Sequence, residues 1–170
     1  MSLERTQLDP LGRARMVDSA PKEAIHRRAV ARCRVYMANE TTNAIASNAT
    51  SKGDVLGAAR IAGIQAAKQT ASLIPLCHPL LVGSVSVNFT IGDDHVEVEA
   101  HVETIDRTGV EMEAMTAASI AALTIYDMSK STDRDMKISD LQLWEKTGGR
   151  LGVWKRQSDE EDDPIGGLGF

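Results

Sequence analysis

The stretch VSVNFTIGDDHVEVEAHVET, residues 85–104, decides how the chain is to be read. Val85, Val87, Phe89 and Ile91 occupy its odd positions and Ser86, Asn88 and Thr90 the positions between them. After Gly92-Asp93-Asp94 the phase inverts, so that Val96, Val98, Ala100 and Val102 fall on even positions and Glu97, Glu99, His101 and Glu103 on odd ones. A period of two with a Gly-Asp turn at its centre describes an antiparallel hairpin with one buried face. Glu97, Glu99 and Glu103 are expected on the opposite, solvated face.

On the N-terminal side, VARCRVYMA (30–38) sets Ala31, Cys33, Val35 and Met37 on one face of a first strand, and TTNAIASNA (41–49) fits a short helical turn. Residues 50–54, TSKGD, resemble a capping box that uses Ser51 as N-cap and Asp54 three residues on. The following segment, 55–74, carries an apolar stripe at Leu56, Ile61, Ile64 and Ala67 among many Ala and Gly residues, and its helix should end before Pro75. Such small residues permit close approach of a neighbouring backbone.

On the C-terminal side, RTGVEMEAMTAASIAALTIYDMSK (107–130) reads as a helix of about 22 residues and roughly 33 Å. Glu111 and Glu113 open it, Asp127 and Lys130 close it, and the 13 residues from Ala114 to Tyr126 are uncharged. A last strand, 137–145, places Leu141 and Leu143 on one side. Strand, helix, hairpin, helix, strand is the βαββαβ order of an α+β, ferredoxin-like sandwich, with an antiparallel sheet and both long helices on one face.

Composition sets the outer limits. A chain of 170 residues and 18.4 kDa is long enough for one core. The reading divides it into an extended basic arm (1–20), one catalytic domain (21–154) and an acidic, Gly-rich tail (155–170) that is expected to be disordered. No apolar run reaches the length of a membrane span, and the Arg-rich N-terminus has no apolar leader, so the expected location is the cytoplasm. Cys33 and Cys77 form neither a disulfide framework nor a metal-binding spacing. The net charge of −5 argues against general nucleic-acid binding. The fold also carries RNA recognition, but that use needs exposed aromatic residues on the sheet, and the hairpin offers only Phe89, on its apolar face. The first 34 residues nevertheless hold seven Arg and one Lys against four acids, enough to serve an anionic small molecule.

Several residues have both a bland and a chemical reading. Lys52, placed in the first turn of a helix, opposes the macrodipole; it is either solvated or, with Gly53 and free backbone N–H groups, an anion site. His78 and Cys77 lie between Pro75 and Pro79 in a stiff loop. Glu111 completes a capping box with Thr108, whereas Glu113 is not needed for the cap. Asp127 and Lys130, three apart, make a surface ion pair or a catalytic one.

The segments KGDVLGAARIAGIQAAKQTASLIPLCHPL, TGVEMEAMTA, LTIYDMSK and LWEKTGG, in this order, closely resemble the MoaC family of molybdenum-cofactor biosynthesis. The likeness runs from about Gly12 to Gly149. It implies conversion of 3′,8-cyclo-7,8-dihydroguanosine 5′-triphosphate, supplied by a radical-SAM partner enzyme, into cyclic pyranopterin monophosphate with release of diphosphate. It further implies Asp127, Lys130 and Lys52 as catalytic residues, Asp127 moving protons beside a lysine whose pKa is expected to be lowered by burial or cationic neighbours. Leu76, Cys77, His78, Met112 and Glu113 become substrate contacts, and Glu111, Arg27 and Lys146 line the same site. No metal ligand or resident cofactor is implied, although Mg²⁺ could accompany the triphosphate. The family's assembly, a hexamer built from dimers with sites between subunits, is expected here too. Ser19, Ser129, Ser131 and Trp144 depart from the family's usual residues without removing a proposed catalytic group. A regulatory, ligand-binding oligomer without catalysis is the rival reading.

Overall fold

The hairpin forms as its alternation requires. In a computed structural model describing residues 7–17, 23–149 and 152–157, β2 (Ser84–Ile91) pairs antiparallel with β3 (His95–Asp106), Val87 facing Ala100 and Phe89 facing Val98. β1 (Ile25–Tyr36) lies on the other side of β3, and β4 (Lys137–Thr147) beyond β1. A short fifth strand, β5 (Trp154–Lys155), closes the order β2-β3-β1-β4-β5, antiparallel throughout. The two long helices, α2 (Val55–Lys68) and α4 (Glu111–Ser129), pack together on one face of this sheet. A short α1 (Asn39–Ala46) follows β1, and a single turn, α3 (Thr70–Leu73), precedes Pro75. This is the ferredoxin-like α+β sandwich with an added edge strand.

The core is built from small residues. Ala29, Ala31, Cys33 and Val35 of β1 and Val96, Val98, Ala100 and Val102 of β3 face Ala114, Ala117, Ala118, Ala121 and Ala122 of α4, all buried. Side chains this short bring helix and sheet backbones close, and α2 meets α4 in the same way. A Cβ on Gly63 would stand 3.0 Å from the Ala117 carbonyl oxygen and 3.3 Å from the Ala121 Cβ. This packing keeps Leu56, Ile64 and Ala67 of the expected α2 stripe on the core and corrects it at Ile61. The buried side of α2 is Val55, Ala59, Gly63, Ala66 and Ala67, while Ile61 is 63% exposed. Close approach to α4 selects the face with the smallest side chains, not the one with the largest.

Other expectations change as well. Asp54, not Ser51, caps α2: its carboxylate accepts from the Gly57 N–H at 2.8 Å. In β4 the register shifts between Ser139 and Gln142, an interval that contains Leu141, so Leu143 and Ile138 pack on the core and Leu141 is exposed. The N-terminal arm is not extended where it is described. Residues 7–15 double back through a Leu8–Ala14 bridge and a turn whose amides bond the Asp9 carboxylate. The acidic run 159–163 and Ser19 lie outside the described residues.

The polar face of the sheet is not simply solvated. The register sets Arg28, Arg32 and Arg34 of β1 opposite Glu103, Glu99 and Glu97 of β3, and each pair is in ion-pair contact. Glu97 is only 7% exposed. Hydrogen bonding from His101, together with Arg32, holds Glu99 down at about 2. Trp144 lies beneath the Arg32 guanidinium at 4.5 Å, which removes it as a stacking platform for a base.

Candidate active site

α4 begins beside the loop that follows α3, and the two ends of α4 carry the two groups of candidate residues. At the N-terminal end, Val110 precedes the helix without any side-chain cap, so the Thr108–Glu111 capping box does not form. The Glu111 carboxylate instead accepts from Lys146 Nζ of β4 at 3.0 Å. A half-buried ion pair supplies a stronger partner than a backbone amide, and strand pairing delivers the ammonium to it.

One turn on, Glu113 is 2% exposed. Its Oε1 accepts from Cys77 Sγ at 3.5 Å, and its Oε2 is buried without a partner. Burial raises the carboxyl above its ordinary value, and burial together with the Glu113 charge pushes the Cys77 thiol up to about 11. His78 donates from Nε2 to the Val17 carbonyl at 2.7 Å; a carbonyl only accepts, so Nε2 carries the proton. That bond ties the Pro-flanked loop to the N-terminal arm.

Between them runs an open groove of about 880 Å³ whose walls include Leu76, Cys77, His78, Glu111 and Met112. Gln7, Ala14 and Val17 of the arm complete it. These three were not among the candidates, because nothing in their residue types announces that the arm folds back onto a loop some 60 positions away. Glu113, Lys146 and Arg27 do not line the groove. Glu113 stands behind Cys77 and Lys146 behind Glu111. Arg27, 8% exposed, donates from Nε to the Asp106 carbonyl at 3.2 Å and from Nη2 to the Arg107 carbonyl at 3.1 Å.

The C-terminal end holds the other three. Lys52 does not sit in the first turn of α2 but in the turn before it, ahead of Gly53 with φ +82°. The start of α2 is already occupied by Asp54, and the Gly53 amide bonds the Thr50 carbonyl, so the anion site suggested there is closed. Lys52 reaches the opposite kind of helix end. Its Nζ donates to the Asp127 carbonyl at 2.7 Å, one of the last carbonyls that α4 leaves unsatisfied, and lies 3.4 Å from Asp127 Oδ2. A cation is favourable at that pole. Lys130 Nζ contacts Asp127 Oδ1 at 2.6 Å. The hydrogen bond to Lys130 holds the Asp127 carboxyl below its ordinary value, and the same bond holds Lys130 above its own. The expectation of a lysine with lowered pKa is therefore reversed for Lys130 within one chain, where an anion and not a cation adjoins it.

Burial separates the two groups as much as distance does. Asp127 is 60% exposed on its side chain and Glu113 is closed off. They lie 14 positions apart on one helix, about 21 Å at 1.5 Å per residue. Among the described residues, no three His, Cys, Asp or Glu side chains converge where they could hold a metal ion.

Residues 16–149 match the model of the MoaC family. The chain belongs to the MoaC family. Three relatives, each named cyclic pyranopterin monophosphate synthase, agree closely. That of Thermomicrobium roseum is 55% identical over 159 residues, covering 92% of this chain and 96% of the relative. That of Heliobacterium modesticaldum is 52% identical, covering 89% and 97%. That of Novosphingobium aromaticivorans is 53% identical, covering 88% and 96%. The MoaC match contains both ends of α4, the Pro-flanked loop, Lys52, Arg27 and Lys146. No helix among the described residues is long and apolar enough to cross a membrane.

Proposed function

We propose that this member of the MoaC family is a lyase of molybdenum-cofactor biosynthesis with the activity for which its relatives are named. It converts 3′,8-cyclo-7,8-dihydroguanosine 5′-triphosphate into cyclic pyranopterin monophosphate and diphosphate. The observation that carries the reading is identity above one half across about nine-tenths of the chain to enzymes so named.

The residues suit the chemistry. Rearranging a purine into a pterin moves protons on and off ring atoms. Asp127, a carboxylate, takes a proton from one ring atom, and Lys130, an ammonium 2.6 Å away, gives one to another. Closing the cyclic phosphate forms a new phosphorus–oxygen bond and breaks the bond to diphosphate, which leaves with the developing negative charge. Lys52 meets that charge. At the other end of α4, Leu76, Cys77, His78 and Met112 contact the substrate, with Glu111 paired to Lys146 at the rim. Mg²⁺, if it takes part, arrives on the triphosphate oxygens.

Neither end is a whole site, and the helix holds them apart. The outer side of α4 leaves Leu123 exposed within the uncharged run and Met112 exposed between Glu111 and Glu113, and Ile61 of α2 is exposed as well. A second copy seated there about a twofold axis would set the Asp127 end of one helix against the Cys77 end of the other. Three such dimers make the hexamer, in the cytoplasm, with substrate delivered by a radical-SAM enzyme.

The test is incubation of purified protein with the cyclic triphosphate and measurement of diphosphate and the pterin product. Stoichiometric release of both is expected. Authentic substrate left unchanged would refute the proposal.

A further inference from the structure

Arg27 is buried, yet among the described residues no carboxylate pairs with it, and its fork is spent on two consecutive backbone carbonyls, those of Asp106 and Arg107. These residues end β3 and begin the loop that leads to α4. On the opposite side the guanidinium is walled by the turn after β4. A Cβ on Gly148 would stand 2.7 Å from the His26 carbonyl and 2.9 Å from Arg27 Cδ, and a Cβ on Gly149 would stand 2.8 Å from Arg27 Nη1. Both glycines have positive φ, +87° and +92°. The Gly pair therefore does two things: it turns the chain at positive φ, and it lies against the guanidinium without side chains that would crowd Arg27 and the His26 carbonyl.

We propose that Arg27 is a positioning residue that acts through the 106–110 loop, and that Gly149 exists to seat it. It does not contact the substrate. Resting on the function proposed above, this assigns Arg27 a different task from the site-lining one that the family likeness implied. The fork fixes Asp106 and Arg107, and the short loop behind them carries Thr108 and Gly109 of the groove wall and the first turn of α4. Glu111 then meets Lys146, which itself lies on the strand leading into the Gly pair. One guanidinium thus holds together the two motifs TGVEME and EKTGG at the edge of the groove.

The point is geometric, so charge alone should not satisfy it. Lysine keeps the charge at position 27 but offers a point donor where two carbonyls need a fork. Arg27→Lys and Gly149→Ala should therefore share one phenotype in the full-length protein. Backbone amides of residues 107–110 should exchange hydrogen faster, and kcat should fall roughly 10- to 100-fold, the scale of a small misplacement of groups, with KM changed much less. The double variant Arg27→Lys/Gly149→Ala should be no worse than the more impaired single variant. Wild-type kcat and KM in Arg27→Lys, a loss confined to KM and relieved by charge, additive losses in the double variant, or unchanged exchange at 107–110 would each overturn the proposal. Hydrogen exchange is read without substrate. A wild-type protein with no diphosphate release would count against the proposed function and leave the exchange comparison to decide on Arg27.

Discussion

The two ends of α4 solve opposite problems. At its N-terminal end, Glu113 is buried behind Cys77, Glu111 is paired with Lys146, and Arg27 clamps the incoming loop from below. At its C-terminal end, Asp127 stands in the open between Lys52 and Lys130. The first group is positioned by packing. The second is held by exposed ion pairs that water and salt weaken. The difference teaches that the N-terminal end is organised within one chain, whereas the C-terminal end is left open to water.

The largest expected effect lies at the open end. Replacing Asp127 by Asn keeps the size of the side chain and removes both the proton acceptor and the anion that raises the Lys130 pKa. Turnover should fall roughly 10²- to 10⁴-fold, the usual scale of a lost general acid or base, while thermal stability should hardly change. A marked loss of stability would mean that this end is structural and would erase the contrast with the buried one.

A smaller effect, on stability rather than on rate, belongs to the closed end. Burial raises the Glu113 carboxyl above its unfolded value, so the folded protein holds its proton more tightly than the unfolded chain does. The Glu113 contribution to stability is therefore fully present below the unfolded value of 4.5 and is lost as pH rises from there through the folded value. Glu113→Gln removes the ionisation. It should flatten this decline and raise the melting temperature at neutral pH relative to Glu113 itself. A variant with the same slope of stability against pH would show that burial does not raise the Glu113 carboxyl.

Much of the fold was legible because the hairpin at 85–104 is stated in alternation, and alternation is what a half-buried strand imposes on sequence. The same alternation hid the far face. Glu97, Glu99 and Glu103 look solvated until the register of β1 is known, because their partners Arg34, Arg32 and Arg28 lie more than 60 positions away. Caps misled for a related reason: Ser51 and Thr108 have suitable spacing, but capping depends on the backbone angles before the helix, which spacing does not determine. Ile61 misled because hydrophobicity marks a buried face only when packing has room for large side chains, and the Gly63–Ala117 contact leaves none.

Of the site, both clusters were legible as residue types in a family-like order, and the structure brings each of them together in space. What could not be read was position relative to the groove. Arg27 and Glu113 carry ordinary charged side chains in sequence, and only the fold puts the first under a loop and the second behind a thiol. The reversed expectation for Lys130 has the same origin, since its environment within one chain is set by Asp127 and not by the cations around it.

The central claim is that the two unlike ends of α4 meet as one site, each drawn from a different copy. It is tested most directly by mixing two inactive variants, Asp127→Ala and Lys146→Ala, under conditions where subunits exchange. If each site takes Asp127 from one chain and Lys146 from the other, half of the randomly formed dimers are mixed and one of the two sites in each is intact. The mixture should then regain about a quarter of wild-type activity. Mixtures that exchange subunits yet stay as inactive as either variant alone would place each complete site within a single chain and contradict the account.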